Sequence, residues 1–188
     1  TVKKDIDTLV VIDDSIVRGT TVKESIIRML ARLHPKKIII VSSAPHLRYP
    51  DCYGIDMSKM GDFIAFNAAV SLLADTNQSD YLQELLQHCK DLQSKNQLHT
   101  ENVVKQLYKK FTTEEISAKI AQLITPPELK IPVQVIFQSI EDLHKSCPGN
   151  LGDWYFTGNY PTPGGNKVVN TSFINYMEDH DKKFLASL

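Results

Sequence analysis

The chain is predicted to adopt an α/β fold in which helices flank a parallel sheet, with an all-helical insertion. Two uninterrupted apolar runs, at 9–12 and 38–41, have the pattern of strands in a parallel sheet. A stretch with helical apolar periodicity separates them, as in a βαβ unit. Between residues 76 and 125 glycine is absent and the periodicity is wholly helical, which indicates the insertion.

The composition is that of a chain with a packed core. The 188 residues are 42% hydrophobic and 23% charged, and the formal net charge is −1. No block of lysine or arginine offers the concentrated positive charge that binds nucleic acids or membrane surfaces. No apolar run approaches the roughly 20 residues of a membrane helix, and there is no signal-peptide pattern. We therefore expect a cytoplasmic protein with neither a nucleic-acid nor a membrane partner.

The cysteine and histidine residues have no metal-ligand spacing. Cys52, Cys89 and Cys147 are scattered, which fits reduced, partly buried thiols rather than a disulfide framework or a zinc site. The six histidines are expected on the surface or at helix caps. They are His34, His46, His88, His99, His144 and His180.

The first strand, helix and second strand are expected to form a right-handed βαβ unit. Residues 9–12 form a strand that we expect to be buried on both faces, and residues 38–41 form the next strand. Thr21 and Glu24 have the spacing of a capping box, and Pro35 ends the helix that they begin. The apolar face of this helix is predicted to consist of Val22, Ile26, Leu30 and Leu33.

Helices dominate the next part of the chain. Residues 42–62 are expected to be irregular because they contain two prolines and two glycines, and a helix follows at about 63–73. Residues 76–125 are predicted to form two or three amphipathic helices, packed together or against the α/β part. Thr112 and Glu115 cap one of them. The predicted apolar stripes are Tyr81, Leu82, Leu85, Leu86 and Cys89; Val103, Val104, Leu107, Tyr108 and Phe111; and Ile116, Ile120, Leu123 and Ile124.

The last part of the chain returns to the α/β pattern. A third strand at 133–137 precedes a helix that begins at Ser139 and stops near Pro148. A long loop is expected over 149–165, and a terminal helix over 171–188. The aromatic residues of the loop are expected to pack onto the protein rather than stack on bases. The loop aromatics are Trp154, Tyr155, Phe156 and Tyr160, and the helix anchors are Phe173, Ile174, Met177 and Phe184.

Two adjacent carboxylates follow the first strand. Asp13 and Asp14 stand at the carboxyl end of residues 9–12, where ligands bind in open α/β sheets. Neighbouring carboxylates repel each other, so a cation or hydroxyl donors stabilise the pair. The two acids can accept hydrogen bonds from the hydroxyl groups of a ribose, or hold Mg²⁺ directly or through water.

A loop rich in hydroxyls and backbone donors comes next. Residues 18–21, Arg-Gly-Thr-Thr, lead into a helix whose unpaired N–H groups and dipole attract an anion. Gly19 has no side chain to prevent the backbone from approaching a phosphate. The plainer interpretation is that Asp14 or Ser15 starts a turn and that Thr21 only caps the helix. Two acids followed by this loop favour a sugar-phosphate site.

Residues 10–21 resemble the 5-phosphoribosyl-1-pyrophosphate (PRPP) binding motif of type I phosphoribosyltransferases. The sequence at 13–21, Asp-Asp-Ser-Ile-Val-Arg-Gly-Thr-Thr, is similar to that of the glutamine PRPP amidotransferase (amidophosphoribosyltransferase) family. Three further stretches agree with this family, at 43–57, 135–143 and 156–162. The resemblance covers roughly residues 9–73 and 131–165 and is absent from the helical block between them.

The resemblance implies a partial type I phosphoribosyltransferase with a Rossmann-like sheet. Its PRPP-binding part would span 1–75, the helical insertion 76–130, and the C-terminal part of the transferase domain 131–188. Members of the family are glycosyltransferases that transfer glutamine-derived ammonia to PRPP, giving phosphoribosylamine in the first step of purine synthesis. An N-terminal glutaminase domain releases the ammonia.

The resemblance also implies roles for particular residues. Asp13 and Asp14 would bind the ribose hydroxyls and position Mg²⁺-PRPP. The 5-phosphate would be held by Ser15, Arg18, Gly19, Thr20 and Thr21. No acid–base pair is assigned, because an oxocarbenium-like reaction depends on positioning and electrostatics. A homo-oligomer is expected, with purine nucleotides as inhibitors, and Arg48 and Asp56 are candidates to contact them.

The chain departs from the family pattern in two ways. The family has further strands, a pyrophosphate loop and the glutaminase domain before the motif, so we expect a fragment that catalyses neither half-reaction alone. Some members also hold an iron–sulfur cluster on four cysteines. Here Asp51 stands at one cysteine position, with Cys52 next to it, and the paired C-terminal cysteines would fall near Gly152 and Tyr155. We therefore expect no cluster.

Three other functions compete with this interpretation. One is a different phosphoribosyltransferase, such as a salvage enzyme, although the stretches 53–56 and 158–162 favour the amidotransferase. Another is a regulator that senses PRPP without catalysis, which would carry a DNA-binding helix-turn-helix and a basic face. The third is a receiver domain, which needs an acceptor aspartate after the third strand of its sheet and a later lysine.

Overall fold

Three parallel strands form the sheet, in the spatial order β1–β2–β3. The computed structural model describes residues 2–53, 57–149 and 152–185, and side chains as far as residue 179. Helices flank the sheet, so the predicted α/β class and the three predicted strands are confirmed. The strands are β1 (Thr8–Asp13), β2 (Lys37–Ser42) and β3 (Val133–Phe137).

Helices of the described ranges cover one face of the sheet. Ile40 of β2 is 0% exposed on this face, and it lies between Val11 of β1 and Val135 of β3. On the opposite face, Val10 and Ile12 are 58% and 73% exposed. The prediction that the first strand is buried on both faces is therefore wrong. An apolar run favours a buried strand, but it does not say which elements are present to cover it.

The first helix has an unusual winding. Residues Val22–Ile27 form a π-helical segment that continues as α1 (Arg28–Ala31). Hydrogen bonds in a π-helix join residues five apart instead of four, so the buried positions shift along the chain. Ile27 is 0% exposed, whereas the predicted Ile26 is only partly buried. The predicted Leu33 lies beyond the helix and is exposed.

The two predicted capping boxes have opposite outcomes. The Thr112 hydroxyl accepts the N–H of Glu115 at 3.1 Å, and the Glu115 carboxylate accepts the N–H of Thr112 at 2.8 Å, as predicted. The box at Thr21 is wrong: its φ and ψ of −60° and −42° are already helical, and its side chain makes no cap hydrogen bond. Glu24 instead pairs with Arg28 at 3.6 Å. A capping residue needs non-helical backbone, and here the helix has already begun.

Helices fill the middle of the chain, as predicted. A 3₁₀ turn (Met60–Asp62) is followed by α2 (Ile64–Asp75), α3 (Asp80–Ser94), α4 (Lys105–Tyr108) and α5 (Thr113–Ile124). Helix α5 lies against both β3 and α2. The predicted apolar stripes face the core. Their members with 0% exposure are Cys89, Val103, Val104, Leu107, Ile116 and Ile120.

The C-terminal part contains more helix than predicted. Helix α6 (Ile140–Ser146) begins after Ser139 as expected, but the predicted loop at 149–165 contains α7 (Trp154–Thr157) and the start of α8 (Pro163–Leu185). The terminal helix thus begins well before residue 171, because proline fits the first turn of a helix. Of the predicted anchors, Phe173, Ile174 and Met177 are buried, and the side chain of Phe184 lies outside the described part.

One hydrophobic core joins these parts of the chain. Its buried residues come from β2, β3 and the helices α2, α3, α5 and α8, and α8 packs against α3. The helical block therefore shares its core with the α/β part, while the boundaries 1–75, 76–130 and 131–188 stay a prediction. Among the described residues, no helix combines the length and the apolar character that crossing a bilayer requires.

The uneven burial of the sheet predicts unequal effects of the same substitution. Ile40→Thr should lower the free energy of unfolding by at least about 2 kcal/mol, because it removes buried methyl groups and buries a hydroxyl. Ile12→Thr keeps a β-branched residue at an exposed site and should change that free energy by no more than about 0.5 kcal/mol. Urea denaturation of both variants measures the difference. A similar loss at Ile12 would mean that this face is covered.

The different outcomes at Thr112 and Thr21 predict different losses of stability when each threonine is replaced by alanine. Thr112→Ala should cost about 1 kcal/mol of stability, because it removes the hydroxyl that satisfies a helix amide. Thr21→Ala should cost less than about 0.5 kcal/mol, since the Thr21 side chain makes no such bond. Thermal and urea denaturation can be used for both variants. Equal losses would contradict the assignment of the cap to Thr112 alone.

Candidate functional site

The two acidic residues stand where β1 ends. The carboxylate of Asp13, the last residue of the strand, accepts the N–H of Asp14 at 3.0 Å. The carboxylate of Asp14 accepts the N–H of Ser15 at 2.7 Å. The backbone carbonyls of Asp13 and Asp14 accept N–H groups from Ser43 and Ala44, which follow β2, at 2.9 and 3.0 Å. The acid pair is therefore fixed at the joined carboxyl ends of two strands.

A cavity of about 350 Å³ opens beside Asp13. It is lined by Asp13, by residues 15–22 and by Met57. The structure thus brings Asp13 together with five more of the residues singled out in the sequence, which are Ser15, Arg18, Gly19, Thr20 and Thr21. Asp14 is exposed and does not line the cavity. Of the two acids, only Asp13 lines this space.

Backbone N–H groups are available at the start of the first helix. The first backbone bond of the helix runs from the N–H of Lys23 to the carbonyl of Gly19, at 3.0 Å. The amides of residues 20–22 therefore have no acceptor within the helix. The positive end of the helix dipole lies at the same place. Thr20 and Thr21 add two exposed side chains, each with a hydroxyl. This end of the helix suits an anion.

Gly19 is required by its conformation and by its surroundings. It is buried and has a φ of +73°, which glycine adopts without strain. A Cβ added to it would lie 2.9 Å from Cγ2 of Ile124 and 3.4 Å from Cγ1 of Ile64. The sequence predicts a glycine here for close approach of a phosphate. The structure adds that α5 and α2 occupy the space against which this residue packs.

Arg18 forms an ion pair with the 3₁₀ turn that precedes α2. Its guanidinium lies 3.1 Å from the carboxylate of Asp62, and both side chains are partly exposed. Next to this pair, the N–H of Ile64 donates to the carbonyl of Val17 at 2.7 Å. Sequence reasoning missed Asp62, because nothing in its local pattern links it to a loop 44 residues earlier. The ion pair restricts where the Arg18 side chain can reach.

His46 does not fit the expectation that the histidines lie on the surface. It is 2% exposed, its ring centroid lies 4.1 Å from that of Phe137, and its Nε2 lies 3.0 Å from the hydroxyl of Ser117. That hydroxyl donates to the carbonyl of Thr113, so the Nε2–H of His46 is the donor to Ser117. Burial, with the nearby charge of Arg48, lowers the pKa of His46 to about 3. The ring is therefore neutral at physiological pH.

Arg48 is held among aromatic residues. Its guanidinium lies 5.3 Å from the ring centroid of Tyr108 and 3.4 Å from Nδ1 of His46. The Tyr108 hydroxyl donates to the carbonyl of Arg48 at 3.0 Å. The predicted contact of Arg48 with a nucleotide stays a prediction, and Asp56, its expected companion, lies outside the described residues.

Two of the positions considered for an iron–sulfur cluster, Asp51 and Tyr155, are in contact. Asp51 is buried, and its carboxylate accepts the hydroxyl of Tyr155 at 3.0 Å. The loop aromatics pack as expected, since the hydroxyl of Tyr160 also bonds the carbonyl of Pro50 at 2.6 Å. The three cysteines are free thiols, with Cys89 buried. In the described ranges no three His, Cys, Asp or Glu side chains converge as a metal site needs.

Comparison with known proteins identifies similar sequences. No family model matches the chain. An amidophosphoribosyltransferase of Haemophilus influenzae is 45% identical over 67 residues, which are 36% of this chain and 13% of that protein. This chain is similar to amidophosphoribosyltransferases. The one of Pseudomonas aeruginosa is 40% identical over 74 residues, 39% of this chain and 15% of its own length. The resemblance stated from the sequence is confirmed.

The similarity extends beyond bacteria. The amidophosphoribosyltransferase of Schizosaccharomyces pombe is 34% identical over 87 residues, which are 44% of this chain and 16% of that protein. The chain thus spans about one-sixth or less of the length of these curated amidophosphoribosyltransferases. The receiver alternative finds no support, because Gln138 and Ser139 follow β3 where an acceptor aspartate would be needed.

The geometry of Gly19 predicts a large effect of adding one methyl group. Gly149 has a similar φ of +77°, but a Cβ there would meet no described heavy atom within 4 Å. Gly149→Ala should therefore cost about 1 kcal/mol for the left-handed backbone alone. Gly19→Ala adds the contact with Ile124 and should cost at least about 2 kcal/mol. Urea denaturation compares them, and equal losses would remove the steric part of the argument.

Proposed function

We propose that this chain is part of an amidophosphoribosyltransferase and that its cavity beside Asp13 binds the ribose 5-phosphate portion of PRPP. One observation carries the proposal: Asp13, at the end of β1, and residues 20–22, whose amides have no acceptor within the helix, line the same small cavity. A sugar phosphate has hydroxyl donors at one end and an anion at the other. The named relatives, which are 34–45% identical over the matched residues, support this choice over a salvage enzyme.

The phosphate is assigned to the helix start. The amides of residues 20–22 would donate to phosphoryl oxygens, and the hydroxyls of Thr20, Thr21 and Ser15 would add further donors. Gly19 lets this backbone lie close to the anion. Arg18 would contribute mainly through its positive charge, because its guanidinium already bonds the carboxylate of Asp62.

The ribose and a magnesium ion are assigned to the acids. Asp13 lines the cavity and would accept the ribose hydroxyls, with Asp14 one residue farther out. Mg²⁺ is commonly held by one or two carboxylates together with substrate phosphates and water. The chain offers two carboxylates here, and an ion that arrives with PRPP would take its other ligands from the substrate phosphates and water. When bound, Mg²⁺ would neutralise pyrophosphate charge as that group leaves.

The reaction proposed for the whole protein is the transfer of glutamine-derived ammonia to C1 of PRPP, with loss of pyrophosphate. This chain would hold the ribose and its 5-phosphate in place while an oxocarbenium-like charge develops at C1. Asp13 would stabilise that positive charge by its proximity. No residue of the cavity is assigned as a general acid or base. The chain alone is proposed to be inactive in both half-reactions.

The remaining expectations belong to the same proposal. A glutaminase domain would supply the ammonia, the whole protein would be a cytoplasmic homo-oligomer, and purine nucleotides would inhibit it. The chain would carry no iron–sulfur cluster. The first three statements rest on the family resemblance of the sequence, and the last rests on the residues that depart from the family's cysteine pattern.

Binding of ribose 5-phosphate tests the assignment. Isothermal titration calorimetry with Mg²⁺ present should detect binding to the chain. Asp13→Asn should weaken it at least tenfold, about 1.4 kcal/mol, because an amide replaces a charged acceptor in the cavity. Asp5→Asn, the same change before β1 and outside the cavity, should leave the affinity within about twofold.

Two results would contradict the proposal. One is the absence of heat and of chemical-shift changes in residues 13–22 when the chain is titrated with ribose 5-phosphate. The other is equal affinity of the Asp13→Asn and Asp5→Asn variants. Inorganic phosphate serves as a comparison ligand, and it should bind more weakly because it makes no contact with Asp13.

A further inference from the structure

We propose that Ile124, the last residue of α5, is a positioning residue for the phosphate-binding turn. The inference rests on the proposed function, because it assigns a role to a residue that supports the phosphate site without touching the ligand. Ile124 lies more than 100 residues after the motif and belongs to the helical block that the sequence resemblance leaves out. It would give that block a part in binding the sugar phosphate.

The contact is direct. A Cβ on Gly19 would lie 2.9 Å from Cγ2 of Ile124, so the backbone of Gly19 rests on this methyl group. Ile64 forms the neighbouring wall, at 3.4 and 3.5 Å from the same position. Ile124 is 1% exposed and Gly19 is buried. Packed interiors leave few voids, so the turn cannot move toward α5.

Helix α5 is itself fixed at both ends. The capping box of Thr112 and Glu115 holds its first turn. After its last residue, the N–H of Thr125 donates to the carbonyl of Ala121 at 3.2 Å, and the Thr125 hydroxyl donates to the same carbonyl at 2.6 Å. An ion pair joins Lys119 to Asp75 at the end of α2. The Ile124 methyl group that contacts Gly19 is therefore carried by a helix whose position is fixed.

The direction of the helix amides depends on this support. Gly19 precedes the three amides of residues 20–22, and its carbonyl accepts the first helical hydrogen bond, from Lys23. A shift of Gly19 toward α5 would change the direction of these amides relative to the cavity that the turn lines. Hydrogen bonds weaken steeply as their angle departs from linear. Phosphate affinity should therefore depend on a side chain that the phosphate does not meet.

Two substitutions of Ile124 separate this role from general packing. Ile124→Leu keeps the number of carbon atoms but removes the Cγ2 methyl group. Ile124→Val keeps Cγ2 and removes only the far end of the side chain. Ile120→Leu makes the same change as Ile124→Leu at a position with 0% exposure on the same helix. Only Ile124→Leu should disturb the turn.

Two measurements report on the geometry of the turn: the affinity for ribose 5-phosphate and the hydrogen exchange of one amide. Calorimetry with ribose 5-phosphate and Mg²⁺ should show affinity at least fivefold weaker for Ile124→Leu, and within twofold of wild type for Ile124→Val and Ile120→Leu. Hydrogen exchange of the Lys23 amide, which bonds Gly19, should be at least fivefold faster in Ile124→Leu alone. The Ile116 amide, bonded to Thr112, serves as the reference for α5.

The outcomes are distinct. Unchanged affinity and unchanged Lys23 exchange in Ile124→Leu would overturn the proposal, and so would equal losses in all three variants. If the wild-type chain does not bind ribose 5-phosphate, the proposed function fails, and the inference fails with it even where Lys23 exchange is faster. Circular dichroism checks folding. If Ile124→Leu is unfolded, Ile124→Met, which also lacks Cγ2, is measured in its place.

Discussion

Two backbone hydrogen bonds between the ends of β1 and β2 determine where the site can form. They run from the N–H groups of Ser43 and Ala44 to the carbonyls of Asp13 and Asp14, and so extend the pairing past the last matched residues, Asp13 and Ser42. Because both bonds use main-chain groups, they hold the acid pair in place whatever the side chains do. The chain then leaves the sheet at a defined point and direction. The positions of the turn, the start of the helix and the cavity all depend on where the chain leaves the sheet.

The second constraint is the set of contacts that residues 17–19, in the phosphate-binding turn, make with distant parts of the chain. Arg18 is paired with Asp62, Val17 accepts a hydrogen bond from Ile64, and Gly19 rests on Ile124. These partners come from parts of the chain that are separated by tens of residues. A short loop that would be flexible by itself is thus surrounded by fixed neighbours. Pre-organised donors of this kind favour an anion, because little order remains to be imposed when it binds.

Local patterns were sufficient for part of the structure. The limits of β3 and the capping box at Thr112 follow from residues next to each other in sequence, and both predictions are confirmed. The cap at Thr21 was wrong because the same short pattern occurs inside a helix that starts earlier. Burial of His46 and the exposure of Ile12 depend on which distant elements pack nearby. Sequence periodicity does not contain that information. Six of the seven predicted site residues share one cavity because all of them lie between residues 13 and 21, in the single turn that leads from β1 into the first helix.

The π-helical segment after the turn has a consequence for the length of the chain. Hydrogen bonds in Val22–Ile27 span one residue more than those of the α-helix that follows, so the chain turns through a smaller angle per residue there. The six residues of this segment complete about the same rotation as roughly five residues of an α-helix. Deletion of a single residue there would let the segment rewind as an α-helix and leave Ala31, now buried, on the same face. The helix between the phosphate turn and β2 can therefore lose one residue at this place without turning its buried face away from the core.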